Sequence, residues 1–501
     1  MTSSQSDPQS TPAGHSTPSG SPAPATPDRS RAPRRQRVLI LGGGYAGLYV
    51  ALGLERHRGE TPVEIILVDR NGYMTYQPLL PEVAGGHVNP ADVAVSLRRT
   101  LRGSRIIRGS LAGLDVDAKT AEITGLDGSS IPLTYDHVVL ALGAVTRVFP
   151  TPGLEENAVG FKTIEEAVYT HNRVLEQVAL AASTDDPALR ARALTFVVVG
   201  GGYTGVEALS ELSDLSKIAV RANPALDIGE LRWVLIEALD RVAPEVGPEL
   251  SKFTLAQLRE RGIDVRLKTT ITSAVDGELE LSTGETIAAN TVIWTAGVQP
   301  NPALDLTNAP RGPKGHVVAN VRLQVVRGED AAAGVGGGIR GSATVVEGAW
   351  AVGDNAQIPD LTAPASKQPT FYPPNAQNAL RQGVLLARNI LASIRGGELE
   401  EYRHASLGTV AGYGVGRGAA LVRGVKLRGL PAWAMHRGYH GLVIPTVNRK
   451  IRVLGGWVIE ALTSRQTVSL AATEHPRRIF TESFDALPAA RRAAAGDGSG
   501  S

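Results

Sequence analysis

The sequence predicts an α/β protein in which one parallel-sheet unit is inserted into another, and three observations predict it. A short apolar run feeds directly into a glycine cluster twice. Residues 38–41 lead into Gly42-Gly43-Gly44-Tyr45-Ala46-Gly47, and residues 194–199 lead into Gly200-Gly201-Gly202-Tyr203-Thr204-Gly205. Each cluster is followed by a helical pattern and then by a second apolar strand ending in a carboxylate, Asp69 in the first case and Glu237 in the second. Finally, the apolar strand that ends in a small residue at Gly143 is repeated by one that ends at Gly297.

The chemistry of such a turn is specific. Gly42 and Gly200 permit the tight bend, Gly44 and Gly202 let the backbone approach a pyrophosphate, and Gly47 and Gly205 let the helix pack on its strand. The helix N-terminus presents free N–H groups to the phosphates, and Asp69 or Glu237 accepts from a ribose hydroxyl. One glycine cluster is weak evidence, since plain loops use glycine too. Two complete strand-turn-helix-strand-acid units imply two Rossmann-like domains and two dinucleotides.

The totals narrow the class. A chain of 501 residues suggests two or three domains, and 51 basic against 49 acidic residues give a net charge of +2, so no overall field recruits nucleic acid. There is no cysteine, which excludes disulfides, thiolate metal sites and a redox-active cysteine pair. No run approaches the ~18 apolar residues of a spanning helix, and the first residues lack the apolar core of a secretory signal. The chain is expected to lie on a membrane rather than cross one.

Taken in order, residues 1–35 are Ser, Thr, Pro, Ala and Gly with scattered charges and read as a disordered tail. The first nucleotide domain takes 36–160 and 301–400, and the second takes 161–300. The prolines of Tyr76-Gln77-Pro78-Leu79-Leu80-Pro81-Glu82-Val83-Ala84 argue for an irregular loop passing a cofactor. Strands are expected at 105–107 and 121–123 and a helix over 162–182. Gly143 admits a cofactor at a strand's carboxyl end, and Gly297 holds the matching place in the second unit. Residues 328–341 read as a flexible glycine-rich insertion.

Beyond that insertion, Gly353-Asp354 closes a short strand, where an aspartate suits a polyol chain. A helix over 376–394 places Gln377 and Arg381 four apart on one face, turned toward a cofactor's reactive ring. Residues 403–459 hold no acidic residue, and their arginines and lysines alternate with Trp433, Tyr439 and Trp457. That pattern, on helical segments, reads as a region, 401–475, lying against anionic headgroups. His436 and His440, four apart with no carboxylate between them, read as packed or interfacial histidines rather than a metal site. Residues 476–501 read as a second tail.

These residues together resemble the type II NADH dehydrogenases, single-chain flavoprotein NADH:quinone oxidoreductases. The resemblance runs over about residues 37–470. It is carried by Gly42–Gly47 with Asp69, Pro78-Leu79-Leu80 with Val83-Ala84, Gly200–Gly205 with Glu237, Gly353-Asp354, the helix opening Ala376-Gln377-Asn378-Ala379, and the basic aromatic segment. It implies FAD on the first domain, NADH on the second, and electron transfer without proton pumping to a membrane quinone, menaquinone or ubiquinone. It further implies a peripheral place on the cytoplasmic face of the cell membrane and is compatible with a homodimer. Glu207 matches a family glutamate tied to proton movement, and Gln377 matches the first glutamine of the quinone-site helix. The family's second glutamine is Arg381 here, with Gln382 one further on. Either the arginine donates to the quinone carbonyl or the acceptor differs. Two rival readings are a reductase of a small redox protein and a slow NADH- and flavin-binding sensor. Sulfide:quinone oxidoreductases and disulfide reductases, which work through cysteines, are excluded.

Overall fold

The computed structural model describes residues 35–57, 59–328, 344–364, 370–406, 408–478 and 481–482. The expected N-terminal tail, the glycine-rich insertion and most of the C-terminal tail lie outside the described residues. The larger sheet has eight strands in the order Gln324–Arg327, Thr344–Ala351, His137–Leu140, Gln36–Leu41, Val63–Asp69, Arg105–Asp115, Thr120–Gly125 and Ser130–Thr134. Gln36–Leu41 runs parallel to both Val63–Asp69 and His137–Leu140. Val38, Leu39 and Ile40 are fully buried, as a parallel strand covered on both faces requires.

The second sheet is wholly parallel, in the order Ala158–Val159, Thr291–Trp294, Thr195–Val199, Arg232–Glu237 and Asp264–Leu267. Strand Thr344–Ala351, which follows it in the chain, pairs in parallel with His137–Leu140 of the first sheet. The chain therefore leaves one Rossmann-like sheet, builds another and returns.

Helix Tyr45–Arg56 follows the first glycine turn, and helix Ala376–Arg395 packs on it through two glycines. A Cβ at Gly53 would stand 2.4 Å from Ala387 Cβ, and one at Gly383 would stand 2.5 Å from the Ala46 carbonyl oxygen. Only glycine lets backbones approach that closely. Helix Ile164–Ser183 starts at a capping box in which Thr163 and Glu166 satisfy each other's backbone N–H groups.

Two expectations change. The proline-rich stretch after Tyr76 is regular, a 3₁₀ turn Gln77–Leu79 followed by a helix Leu80–Ala84, because its prolines sit in the first turns, where no N–H is needed. The acid-free stretch is not all helical. It begins with the antiparallel strands Gly408–Gly412, Gly418–Val422 and Val425–Arg428, turned at Gly416 and Gly424, both with positive φ. Helices Leu430–Val443 and Val447–Leu462 follow. Among the described residues no helix is long and apolar enough to cross a membrane.

Candidate functional site: two glycine turns and a buried acid–histidine cluster

The two turns are built alike. Gly42 has φ +104° and Gly200 φ +107°, a region open to glycine. A Cβ at Gly47 would lie 1.9 Å from the Gly42 carbonyl oxygen, and one at Gly205 would lie 1.8 Å from that of Gly200. A Cβ at Gly44 would meet nothing within 4 Å, whereas at Gly202 it would meet Glu245 Oε1 at 3.3 Å. The first turn thus faces open space where a pyrophosphate belongs.

The strand-end carboxylates organise these turns. Asp69 Oδ2 accepts from Gly43 N at 2.8 Å, and its Oδ1 accepts from Asn71 N at 2.8 Å and Gly72 N at 3.0 Å. Glu237 Oε2 accepts from Gly201 N, and its Oε1 accepts from Leu239 N at 2.7 Å. Arg241, which sequence places near Glu237, pairs with its neighbour Asp240 at 3.3 Å.

At the equivalent strand ends of the two sheets, Gly143 and Gly297 both have positive φ and leave space at the missing Cβ. Gly143 N donates to Asn355 Oδ1 at 2.9 Å. Gly353 N donates to Gln382 Oε1 at 2.8 Å. Gln382 therefore fixes the Gly353-Asp354 backbone and is spent there. Asp354 lies 3.9 Å from Lys162 Nζ, and burial raises its pKa, with Lys162 opposing. The hydroxyl of Tyr45, in the first turn, is buried without a partner. An open glycine cradle beside an orphaned hydroxyl fits a dinucleotide at the first turn, and Gly42, Gly44, Gly47, Asp69, Gly143, Gly353 and Asp354 would hold FAD. Bound FAD would supply two-electron chemistry.

Gln377 and Arg381 share a helix face as expected, both half-buried. Gln377 Nε2 donates to the Gly408 carbonyl at 3.3 Å, and Arg381 donates to the Gln377 carbonyl at 3.2 Å. Asn378, between them, is buried and accepts from Tyr402 OH at 2.9 Å.

Glu207 lies on helix Tyr203–Arg221, which follows the second turn. Its Oε1 accepts from Gly412 N at 2.9 Å and lies 3.2 Å from His436 Nε2. His436 and His440 are buried, with ring centroids 4.7 Å apart, and His440 Nδ1 lies 3.0 Å from Tyr76 OH. Tyr76 is itself 5.9 Å, ring to ring, from Tyr45 of the first turn. Burial works against charge on His436, but its bond to Glu207 and the charges of Glu207, Glu82 and Glu211 outweigh this and raise its pKa. Burial, and then the charge of His436, push His440 well below the usual range.

A second knot lies alongside. His87 Nε2 lies 2.8 Å from Glu211 Oε2, and its Nδ1 bonds Glu460. Glu211 also lies 3.8 Å from Arg465, and although burial opposes its charge, His87 and Arg465 bring its pKa down to about 2. Glu82 accepts from Trp457 Nε1 at 2.7 Å and lies 3.5 Å from Arg437 Nε. Burial raises its pKa against Arg437 and His436. Sequence reasoning missed these partners. The histidine spacing was visible, but the carboxylates that meet it come from distant parts of the chain.

Much of the basic charge in the C-terminal segment is spent internally. Lys426 and Arg428 pair with Glu249, Arg437 with Glu82, and Arg449 and Arg452 with Asp92. The outer face is apolar instead. Val447, Ile451, Leu454, Val458 and Leu462 form one stripe at helical spacing, and Val447, Ile451 and Leu462 are 70%, 66% and 81% exposed.

The chain matches the pyridine nucleotide-disulphide oxidoreductase family over residues 36–383. It is 27% identical to the type II NADH:quinone oxidoreductase of Mycobacterium tuberculosis, covering 87% of this chain and 90% of that protein. It is 28% identical to the demethylphylloquinone reductase of Synechocystis, covering 85% and 97%. Among solved structures, NDH2 from Plasmodium falciparum in complex with NADH superposes with a TM-score of 0.76 at 16% identity, covering 87% of this chain and all of that one. The sulfide:quinone oxidoreductase of Aquifex aeolicus superposes with a TM-score of 0.62 at 18% identity, covering 86% and 96%. With no cysteine, this chain cannot run the disulfide chemistry for which the family is named. By fold, paired turns and extent of match, it belongs to the pyridine nucleotide-disulphide oxidoreductase family and resembles, over most of its length, the type II NADH:quinone oxidoreductases.

Proposed function

We propose that the chain is an FAD-dependent NADH:quinone oxidoreductase of the type II kind, moving electrons from NADH to a membrane quinone without pumping protons. The observation that carries this is the pair of glycine turns, each held by its own strand-end carboxylate, in a chain without cysteine. FAD belongs to the first turn, and NADH belongs to the second, at Gly200, Gly202, Gly205 and Glu237, with Gly297 at the strand end. Glu237 favours NADH because a buried carboxylate there repels a 2′-phosphate, and Arg241, engaged by Asp240, does not offset it.

Gln377 and Arg381 are the residues assigned to the quinone, and Glu207, near the nicotinamide and flavin, is assigned to proton movement. Arg381 has only a backbone carbonyl as acceptor among its described contacts, which leaves N–H groups to meet a quinone oxygen as negative charge develops. Docking on the cytoplasmic face of the membrane falls to the apolar stripe on Val447–Leu462, with the quinone, menaquinone or ubiquinone, reached from that side.

The test is anaerobic absorbance of the purified chain. The flavin spectrum bleaches with NADH and recovers with a short-chain quinone. Bleaching without recovery would give the acceptor role to another molecule, such as a small redox protein.

A further inference from the structure

We propose that His436 is a positioning residue that holds, for Glu207, the one proton that quinone reduction takes from outside NADH. This rests on the quinone-reductase reading above. The balance requires such a group. NADH, a quinone and one proton give NAD⁺ and a quinol, so NADH supplies both electrons and one hydrogen, and the remaining proton comes from the protein and ultimately from water. Here the Nε2–H bond of the His436 imidazolium breaks, the proton passes to Glu207 Oε1 at 3.2 Å, and it leaves Glu207 to form an O–H bond on the quinone. Water then restores the proton to His436.

The surroundings suit a stored proton. Facing His436 are Glu207 and Glu211 from helix Tyr203–Arg221, Glu82 at 4.0 Å from Leu80–Ala84, and Arg437 and His440 from its own helix. Behind Glu211 and Glu82 stand His87, Arg465, Glu460 and Trp457. Gly412 lies against the ring, where a Cβ would be 3.2 Å from Nδ1, and it donates its N–H to Glu207. Glu207 therefore keeps a backbone donor whether or not His436 is charged. His440, neutral and held by Tyr76, packs its ring against His436 and leaves one positive charge on the pair. Because the folded pKa of His436 is raised, the stored proton is present at and below the ordinary imidazole range and is lost as pH rises through the raised value.

A merely structural His436 would pin the C-terminal helix to the NADH-side helix, and two measurements separate the roles. In ¹⁵N-histidine NMR of the whole FAD-loaded protein, one imidazole, identified by its absence in His436→Gln, titrates above about 6.5 and falls by roughly a unit or more in Glu207→Gln. In stopped-flow reoxidation of NADH-reduced protein by a soluble quinone, the wild-type rate declines as pH rises through that value. His436→Gln, which keeps a donor but stores no proton, is slowed about tenfold or more with a flat profile. His436→Lys restores the rate and moves the decline to higher pH. An imidazole with an ordinary value that ignores Glu207→Gln, or a His436→Gln profile matching wild type, overturns the role of His436. Wild-type protein that bleaches with NADH but never recovers with quinone overturns the functional reading instead.

Discussion

At the first glycine turn a side chain on Gly44 would enter open space, whereas at the second a side chain on Gly202 would meet Glu245 at 3.3 Å. Asp69 gathers three backbone N–H groups and Glu237 two. The helices differ more. Tyr45–Arg56 is backed through glycine contacts by Ala376–Arg395, and its buried residues are apolar or glycine. Tyr203–Arg221 carries Glu207 and Glu211, four apart, into a cluster of histidines and arginines from elsewhere in the chain. One turn is an open cradle, backed by a tightly packed helix and suited to a resident cofactor. The other has the same backbone plan with charge attached, suited to a nucleotide that comes and goes beside groups that hold protons.

Removing the carboxylates should break the comparison most strongly. Asp69→Ala removes the acceptor of three N–H groups, one of them on the turn itself and one at the surface, and should cost roughly 2 kcal/mol and strip flavin during gel filtration. Glu237→Ala strands two and should cost about 2 kcal/mol while leaving flavin bound and raising the KM for NADH about tenfold. Urea unfolding and absorbance read both. A Gly44→Val substitution should weaken FAD by about 2 kcal/mol, roughly thirtyfold, with the fold intact, since only the ligand's space is filled. Gly202→Val should spare the flavin and weaken NADH.

A smaller effect sharpens the contrast between the helices. Burial opposes charge on His87, but its pKa is raised by Glu211 and Glu460. Its stabilising contribution is therefore complete below the ordinary imidazole range of about 6.5 and is lost as pH rises through the raised folded value. The wild-type melting temperature should fall across that window, and His87→Gln should be lower by about 1–2 kcal/mol at pH 6 and lack that fall. Least costly to the fold are Ile451→Asp and Val458→Asp on the exposed stripe. Each should change stability by under about 0.5 kcal/mol yet release the protein from sedimented membranes, with soluble-quinone turnover retained.

What was legible in the sequence was local. Strand, turn, helix and terminal acid lie within one short stretch at Gly42–Asp69 and again at Gly200–Glu237, so glycine spacing and apolar runs expose them. The same holds for the start of helix Ala376–Arg395 and for the glycine opening at Gly143. The short helix Leu80–Ala84 was hidden because proline argues against helix except in a first turn, and position in the turn is known only once the turn exists. Glu207 could be matched to a family position, but its contact with His436 joins two distant segments through tertiary packing, which no periodicity records. The acid-free stretch misled in another way. Its cations have their carboxylates elsewhere, in Glu249, Asp92 and Glu82, so charge counted along the chain overstated charge on the surface.

The division of labour between the turns is tested most directly by measuring which adenine nucleotides stay with the purified chain after gel filtration and denaturation. One FAD and no NAD(H) per chain are expected, with the yellow colour lost in Gly44→Val and kept in Gly202→Val. A colourless wild-type protein, or flavin that survives Gly44→Val and departs with Gly202→Val, would contradict it.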